Sequence, residues 1–595
     1  MSDVKFQNLV DMQRRAVSKF GPRRLFGTKE GGRWTWITYA EFGRRVDDFR
    51  GGLHDAGIRA GDALAIIAGN RVEWAVAAYA AYGLGAMFVP MYEHQLERDW
   101  RYILEDSGAK ALIVSTRSIY DTVKGLPAEL ERLERVFCMS LPKEDDASFA
   151  ALEAAGREHP QPAREEIDPD SICGFIYTSG TTGNPKGVLL SHGNITSNVN
   201  ASHEVFPLSP DDCSVSFLPW AHSFGQTLEL HVMLSMGCSV AFAEAIDKLV
   251  DNFVEVRPTI LVAVPRIFNR IYDILQRRME DEGGLKRTLF YAALENAAHR
   301  KKLALAGKTS LVADAKHRVL DRLVFSKVRA RFGGRLRYAF SGGAALSPEV
   351  AEFIDNVGIM VYEGYGLTET SPIATANYRG NRKIGSVGKP LPGVRVEIDK
   401  SVLTDAGDQG EVIVYGPNVM KGYHNLPDET AAVMTQDGGF RTGDRGRLDS
   451  DGYLYITGRI KEQYKLENGK YVVPAPLEEQ LQLSPFILQV FVDGANKPFN
   501  VALIVPDREA LERWAAENGM AGSFPELLER DETRRLIAAE LDRYSKDFKG
   551  YERVKKFALL PEEFTTSNGF LTPKLSLKRR VVMERYGELL HSLWR

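Results

Sequence analysis

The sequence is short of cysteine, of net charge and of strongly apolar runs. Its 595 residues include four cysteines, Cys138, Cys173, Cys213 and Cys238, none of them in a C-x-x-C pair. That excludes a disulfide framework, and no His/Cys cluster has the spacing of a zinc site. Thiols this sparse fit a reducing, cytoplasmic setting. Charge of one sign is equally scarce: 76 Lys+Arg stand against 79 Asp+Glu, a formal net charge of −3. Such a balance gives no electrostatic signature of nucleic-acid binding. The N-terminal MSDVKFQNLVDMQRR has no apolar run behind its charges, which argues against a secretory signal. From Trp74 to Tyr92 there are 19 uncharged residues, but they are rich in alanine and glycine and include Pro90. A spanning helix needs about 20 strongly apolar residues. The stretch instead predicts a buried helix, a glycine break at Gly83 and Gly85, and a short strand ending at Pro90.

Apolar residues make up 44% and charged residues 26%, which fits a folded chain rather than a disordered one. At roughly 100–200 residues per domain, the length suggests about three to five domains or subdomains. Short β-rich runs, such as 63–69, 110–115, 172–178, 238–243, 258–264 and 335–342, alternate with helical patterns such as 96–108 and 347–358. Alternation of this kind predicts mostly parallel sheets with helices on their faces, and ligands at the carboxyl ends of the strands. Residues 266–332 are rich in Arg, Lys, Leu and Ala and read as a helical insertion. From about 384 to 458 the pattern is β-rich with glycine turns, a small β-subdomain. The charged RIKEQYKLENGK that follows reads as a domain boundary. The fold class expected is α/β: a large N-terminal domain over 1–459 and a small, mobile α+β C-terminal domain over 460–595.

The most informative segment is YTSGTTGNPKGV, residues 177–188. It follows a strand and combines the hydroxyls of Thr178, Ser179, Thr181 and Thr182 with Gly180, Gly183 and Lys186. Glycine lets backbone approach a phosphate, hydroxyls and N–H groups donate to its oxygens, and lysine adds charge. Pro185 before Lys186 excludes a Walker A loop, which needs glycine there.

The string resembles the signature of the adenylate-forming superfamily, which comprises acyl-CoA synthetases, luciferases and the adenylation domains of peptide synthetases. Further segments resemble that superfamily's motifs in the expected order. In YEGYGLTET (362–370) the resemblance implies that Tyr365 packs on adenine beside Gly366, Thr368 contacts the α-phosphate and Glu369 helps hold magnesium, with Thr181 as a second metal contact. In SGGAAL (341–346) it puts Gly343 and Ala344 against the adenosine. In GGFRTGDRG (438–446) Asp444 would accept from the ribose hydroxyls. In GRIKEQYKLENGK, Arg459 would reach ribose or phosphate, Lys461 would be the hinge, and Lys465 would enter the site in a second conformation. In LPWAHSFG (218–225) His222 would sit near the carboxylate and phosphate, with Trp220 as tunnel wall or gate. Near the C-terminus TPKL supplies Lys574 as the adenylation lysine, with Pro573 where glycine is usual and Lys578 as a second candidate.

The resemblance implies an ATP- and Mg2+-dependent enzyme. A carboxylate attacks the α-phosphorus of ATP, and a thiol, that of coenzyme A, then expels AMP. The helical insertion, SGGAALSPEVAEF and NGKYVVPAPLE are most like bacterial long-chain fatty acyl-CoA synthetases. Two alternatives stay open: a ligase for another acid or for a carrier protein, and a non-catalytic nucleotide or acyl-CoA sensor. The partners expected are small molecules (fatty acid, ATP, coenzyme A) and no nucleic acid. Membrane contact is expected to be at most peripheral, from the basic helices in 266–332 on the inner face of a membrane, and a homodimer stays open.

Overall fold

The computed structural model describes residues 5–595 except 165, 179–183, 403–406 and 573–575. A seven-stranded sheet forms around Ala63–Ile67, with Met87–Met91, Ala109–Val114, Arg135–Cys138 and Ile172–Thr178 parallel to it. Lys186–Ser191 and Gly422–Tyr423 extend one edge in antiparallel sense. A five-stranded sheet begins with the parallel strands Ile260–Ala263, Tyr338–Ser341 and Met360–Gly366. A third sheet joins Arg24–Glu30 and Arg33–Thr38 to Ser239–Phe242 and Cys213–Ser216. The apolar strand runs seen in the sequence therefore lie at the centre of doubly covered parallel sheets, where β-branched residues pack on both faces.

The uncharged stretch from Trp74 forms a buried helix, Val72–Leu84, with Trp74, Tyr79 and Tyr82 in the core. It stops at Gly85, whose φ of +72° closes the helix with N–H bonds to Ala81 and Tyr82 carbonyls. Gly83 is not the break expected of it. It lies inside the helix, and a Cβ there would come within 2.9 Å of the Arg50 side chain. Its smallness serves packing, not termination. The strand that follows runs one residue past Pro90, to Met91.

The insertion is helical: Pro265–Glu282, Gly284–Leu305, Leu311–Leu320 and Ser326–Ala330, the last two joined by a π-turn, Asp321–Phe325. Four antiparallel strands then form the β-rich region: Arg395–Asp399, Gly410–Tyr415, Phe440–Leu448 and Leu454–Arg459. The C-terminal part is α+β, with Ile487–Asp493, Asn500–Pro506 and Val554–Leu559 backed by helices that include Pro474–Leu481 and Asp531–Tyr544. It touches the helical insertion. Leu483 is buried in one apolar cluster with Phe268 and Phe353, and Arg277 donates to the Pro485 carbonyl at 2.7 Å. No helix among the described residues is long and apolar enough to cross a membrane.

Candidate active site

A cavity of about 2700 Å³ opens where the strands of the five-stranded sheet end and the C-terminal part faces them. Ser341 and Glu363 are neighbours in the ladder of the parallel strands Tyr338–Ser341 and Met360–Gly366. The chain leaves both strands at their carboxyl ends, as the α/β rule requires. Gly343 and Ala344 follow the first strand and line the cavity, as do Tyr365, Gly366, Thr368 and Glu369. Gly366 cannot be replaced without distortion, because a Cβ there would lie 1.6 Å from the Pro372 carbonyl oxygen.

Tyr365 and Asp444 come from different sheets and meet here. The tyrosine hydroxyl donates to Asp444 Oδ2 at 2.7 Å. Asp444 faces Arg459 across the antiparallel ladder, so the guanidinium Nε reaches Oδ1 at 3.2 Å. Asp444 is 4% exposed. Burial raises its pKa despite the pull of Arg459, and burial also pushes the Tyr365 hydroxyl up. A carboxylate with these two donors keeps acceptor sites for two more.

Glu369 stands in a short 3-10 turn, Thr368–Thr370, and accepts from the Tyr423 hydroxyl at 2.9 Å. Thr368 is buried, its hydroxyl 3.2 Å from that of Ser223. No cluster of three metal-ligating side chains exists among the described residues. One carboxylate still fits magnesium, which keeps its waters and takes the remaining oxygens from phosphates.

Thr178 and Lys186 are paired in register where two antiparallel strands begin to diverge. The loop between them, with Ser179, Gly180, Thr181, Thr182 and Gly183, lies outside the described residues. Lys186 does not line the cavity. Its ammonium pairs with Glu429 and lies 5.4 Å from the Tyr423 ring centroid. Burial, and then the charge of Lys461, lower its pKa.

His222 lines the cavity and caps the turn Ser223–Gly225, its Nδ1 accepting from the Phe224 N–H at 3.1 Å. In the neutral ring that places the proton on Nε2. Trp220, expected as a tunnel wall or gate, is a core residue instead. It is fully buried, does not line the cavity and packs edge-on against Trp74 and Phe242 at 5.6 and 5.3 Å. Within this segment it is Phe224 that reaches the cavity, its ring covering Gly342. Behind it the chain makes a buried π-turn, Gln226–Val232, in which Glu229 accepts from Ser216 and burial pushes its pKa up to about 8.

The C-terminal part supplies the opposite wall through Thr572, Ser576, Lys578, Arg579 and Arg580. Lys574 lies outside the described residues. Arg579 is held by Glu478 at 2.7 Å. Lys461 lines the cavity in a 3-10 turn directly after Arg459. Lys465 does not line it; its ammonium is 5.5 Å from the Tyr471 ring centroid. Sequence reasoning singled out neither Tyr423 and Glu429, which meet Glu369 and Lys186 through tertiary contacts, nor Phe224 and Glu479, which line the cavity.

The sequence profile of the AMP-binding enzyme family matches residues 12–424, and that of the AMP-binding enzyme C-terminal domain matches 461–595. The chain belongs to the AMP-binding enzyme family. Among curated relatives of this AMP-binding enzyme, a long-chain-fatty-acid–CoA ligase of Mycobacterium bovis is 35% identical over 95% of this chain and 93% of that protein. The peroxisomal long chain acyl-CoA synthetase 7 of Arabidopsis thaliana is 31% identical over 97% of this chain and 85% of its own length. The adenylation domain of a carboxylate reductase from Mycobacterium chelonae superposes with a TM-score of 0.81 at 24% identity, covering 99% of this chain and 91% of that one. That likeness is one of fold.

Proposed function

We propose that this AMP-binding enzyme is a long-chain fatty acid–CoA ligase that forms acyl-CoA, AMP and pyrophosphate through an acyl-adenylate. One observation carries the reading. Tyr365, Asp444, Glu369 and His222 line a single cavity whose opposite wall is the C-terminal segment around Lys578. The ligase relatives support the substrate class.

In this reading adenine lies on Tyr365 beside Gly343, Ala344 and Gly366, and Asp444 accepts from the ribose hydroxyls while Arg459 reaches ribose or phosphate. Thr178, the hydroxyls of Ser179, Thr181 and Thr182, and the backbone at Gly180 and Gly183 cradle the phosphates. Lys186 joins them by exchanging Glu429 for a phosphate oxygen. Thr368 donates to the α-phosphate. Glu369 and Thr181 would hold magnesium, which when bound neutralises phosphate charge. His222 orients the fatty carboxylate, and Lys574, with Lys578 as second candidate, stabilises charge on carboxylate and α-phosphate. No side-chain nucleophile is needed, because the substrate carboxylate itself attacks. We place the domain boundary at 459/460 and the hinge at Lys461. A swing there would bring Lys465 to the site for thioester formation. The chain works in the cytoplasm, at most peripheral to the inner face of a membrane, and self-association as a dimer remains part of the reading.

The test is pyrophosphate release with ATP and Mg2+ across acids from acetate to oleate, with and without coenzyme A. Turnover that peaks at long chains and needs coenzyme A is expected. Release that ignores coenzyme A while acyl-adenylate accumulates would assign a carrier-protein ligase. No release with any acid would assign a nucleotide-binding sensor.

A further inference from the structure

The helical insertion carries a face that its own sequence leaves uncovered. Helix Leu311–Leu320, the π-turn Asp321–Phe325 and helix Ser326–Ala330 run on without interruption. Twenty residues at 1.5 Å each make a rod about 30 Å long. Ala313, Leu320, Phe325 and Val328 point inward. The π-turn explains the five-residue step from Leu320 to Phe325, since one added residue keeps both on the buried side. The outward side is not simply polar. Leu311 is 87% exposed, Val312 80%, Val319 59% and Leu323 47%, and Leu305, at the end of the preceding helix, is 91% exposed. Large aliphatics grouped in this way mark an interaction surface, whereas single exposed ones do not.

Charge says what that surface fits. Lys302, Lys308, Lys316, Arg318, Arg322 and Lys327 are all exposed. The two acids between 302 and 327, Asp314 and Asp321, are tied to Arg300 and Arg329, each at 2.7 Å. The surface therefore offers aliphatic side chains amid cationic ones, with its local carboxylates already spent on arginines. An acyl-chain and phosphate boundary matches both components at once: aliphatics enter the hydrocarbon edge while Lys and Arg stay with anionic headgroups.

We propose that the 305–327 face docks this chain on the surface of an anionic lipid bilayer, lying in its plane and not crossing it. This deepens the peripheral-contact reading above and does not depend on the ligase assignment. None of Leu305, Leu311, Val312, Lys308, Lys316 or Arg322 lines the active-site cavity.

Flotation of the full chain with vesicles of equimolar phosphatidylglycerol and phosphatidylcholine tests it, without ATP or fatty acid. Binding should fall with added salt and be weak on pure phosphatidylcholine. Leu311→Ser with Val312→Ser, and separately Lys308→Glu with Lys316→Glu, should each lower the partition coefficient about tenfold or more. Thermal unfolding and pyrophosphate release in vesicle-free solution should stay unchanged, since these side chains are exposed and remote from the cavity. A wild-type chain that stays at the bottom overturns the proposal. So do variants that float as well as wild type. Sedimentation showing a dimer that Leu311→Ser/Val312→Ser dissociates, with no flotation, overturns it in favour of contact between two copies. A wild-type chain that floats but releases no pyrophosphate with any acid would support the docking and count against the ligase reading alone.

Discussion

The Tyr365 hydroxyl donates to Asp444 Oδ2 at 2.7 Å, joining two sheets through residues 79 positions apart in sequence. The bond fixes the aromatic face and the carboxylate as one unit. Tyr365→Phe keeps the ring and removes the donor, and Asp444→Ala removes the carboxylate proposed to accept from ribose. Hydrogen bonds to charged groups contribute about 1.5–3 kcal/mol, or about ten- to hundredfold in affinity. Steady-state kinetics should show the KM for ATP rising by about that factor in Asp444→Ala and by less in Tyr365→Phe, with the fatty acid KM little changed. Equal rises for both substrates would separate Asp444 from the nucleotide.

Glu369, the carboxylate proposed to hold magnesium, accepts from the Tyr423 hydroxyl at 2.9 Å. Glu369→Gln should lower kcat by about a hundredfold or more and raise the Mg2+ concentration for half-activity. Tyr423→Phe should shift the Mg2+ dependence in the same direction by a smaller factor. An unchanged magnesium titration in Glu369→Gln would exclude this role.

Glu429 pairs with Lys186, the lysine proposed to meet phosphate. The pair is partly exposed, with side-chain exposures of 18% and 38%, so its strength is at most about 1 kcal/mol. If the lysine must leave Glu429 to meet phosphate, Glu429→Ala should lower the KM for ATP by up to about fivefold. A rise in KM would show instead that Glu429 positions the lysine for its task.

Glu229 gives a pH signature. It is fully buried and its pKa is raised to about 8, above the ordinary glutamate value of 4.5. The folded state therefore holds a proton that the unfolded chain releases at lower pH. Stability is full below about pH 4.5 and falls as pH rises towards 8, where the folded carboxyl ionises. Glu229→Gln should raise the Tm strongly at pH 8 and hardly at pH 5, as measured by calorimetry. A pH-independent gain would mean that Glu229 is already ionised in the fold.

The parallel strands were legible because β-branched runs such as ALAII need no tertiary information to announce themselves. That Asp444 and Glu369 would share one cavity was legible from the strings around them, which are long and ordered. Trp220 was misread because a sequence places an aromatic near a site without saying which way it faces. Here Trp74 and Phe242 draw it into the core. Gly83 was misread for a related reason: a glycine beside a left-handed Gly85 looks like a break, yet the neighbour that requires it, Arg50, is 33 positions away. Tyr423 and Glu429 had no signal at all. Their roles arise from the meeting of the strand Gly422–Tyr423 with Lys186–Ser191, a pairing across more than 200 residues.

Leu483 belongs by sequence to the C-terminal part, yet its side chain completes an apolar cluster of the helical insertion. Withdrawing a leucine of this kind into water costs about 1.5–3 kcal/mol. In the proposed swing, exposing this one side chain would by itself disfavour the swung-out arrangement by about ten- to hundredfold. If the C-terminal part swings as proposed, the first half-reaction meets a wall that this arrangement already supplies. On the same reading, the binding of the thiol substrate would offset the cost of exposing that leucine in the second.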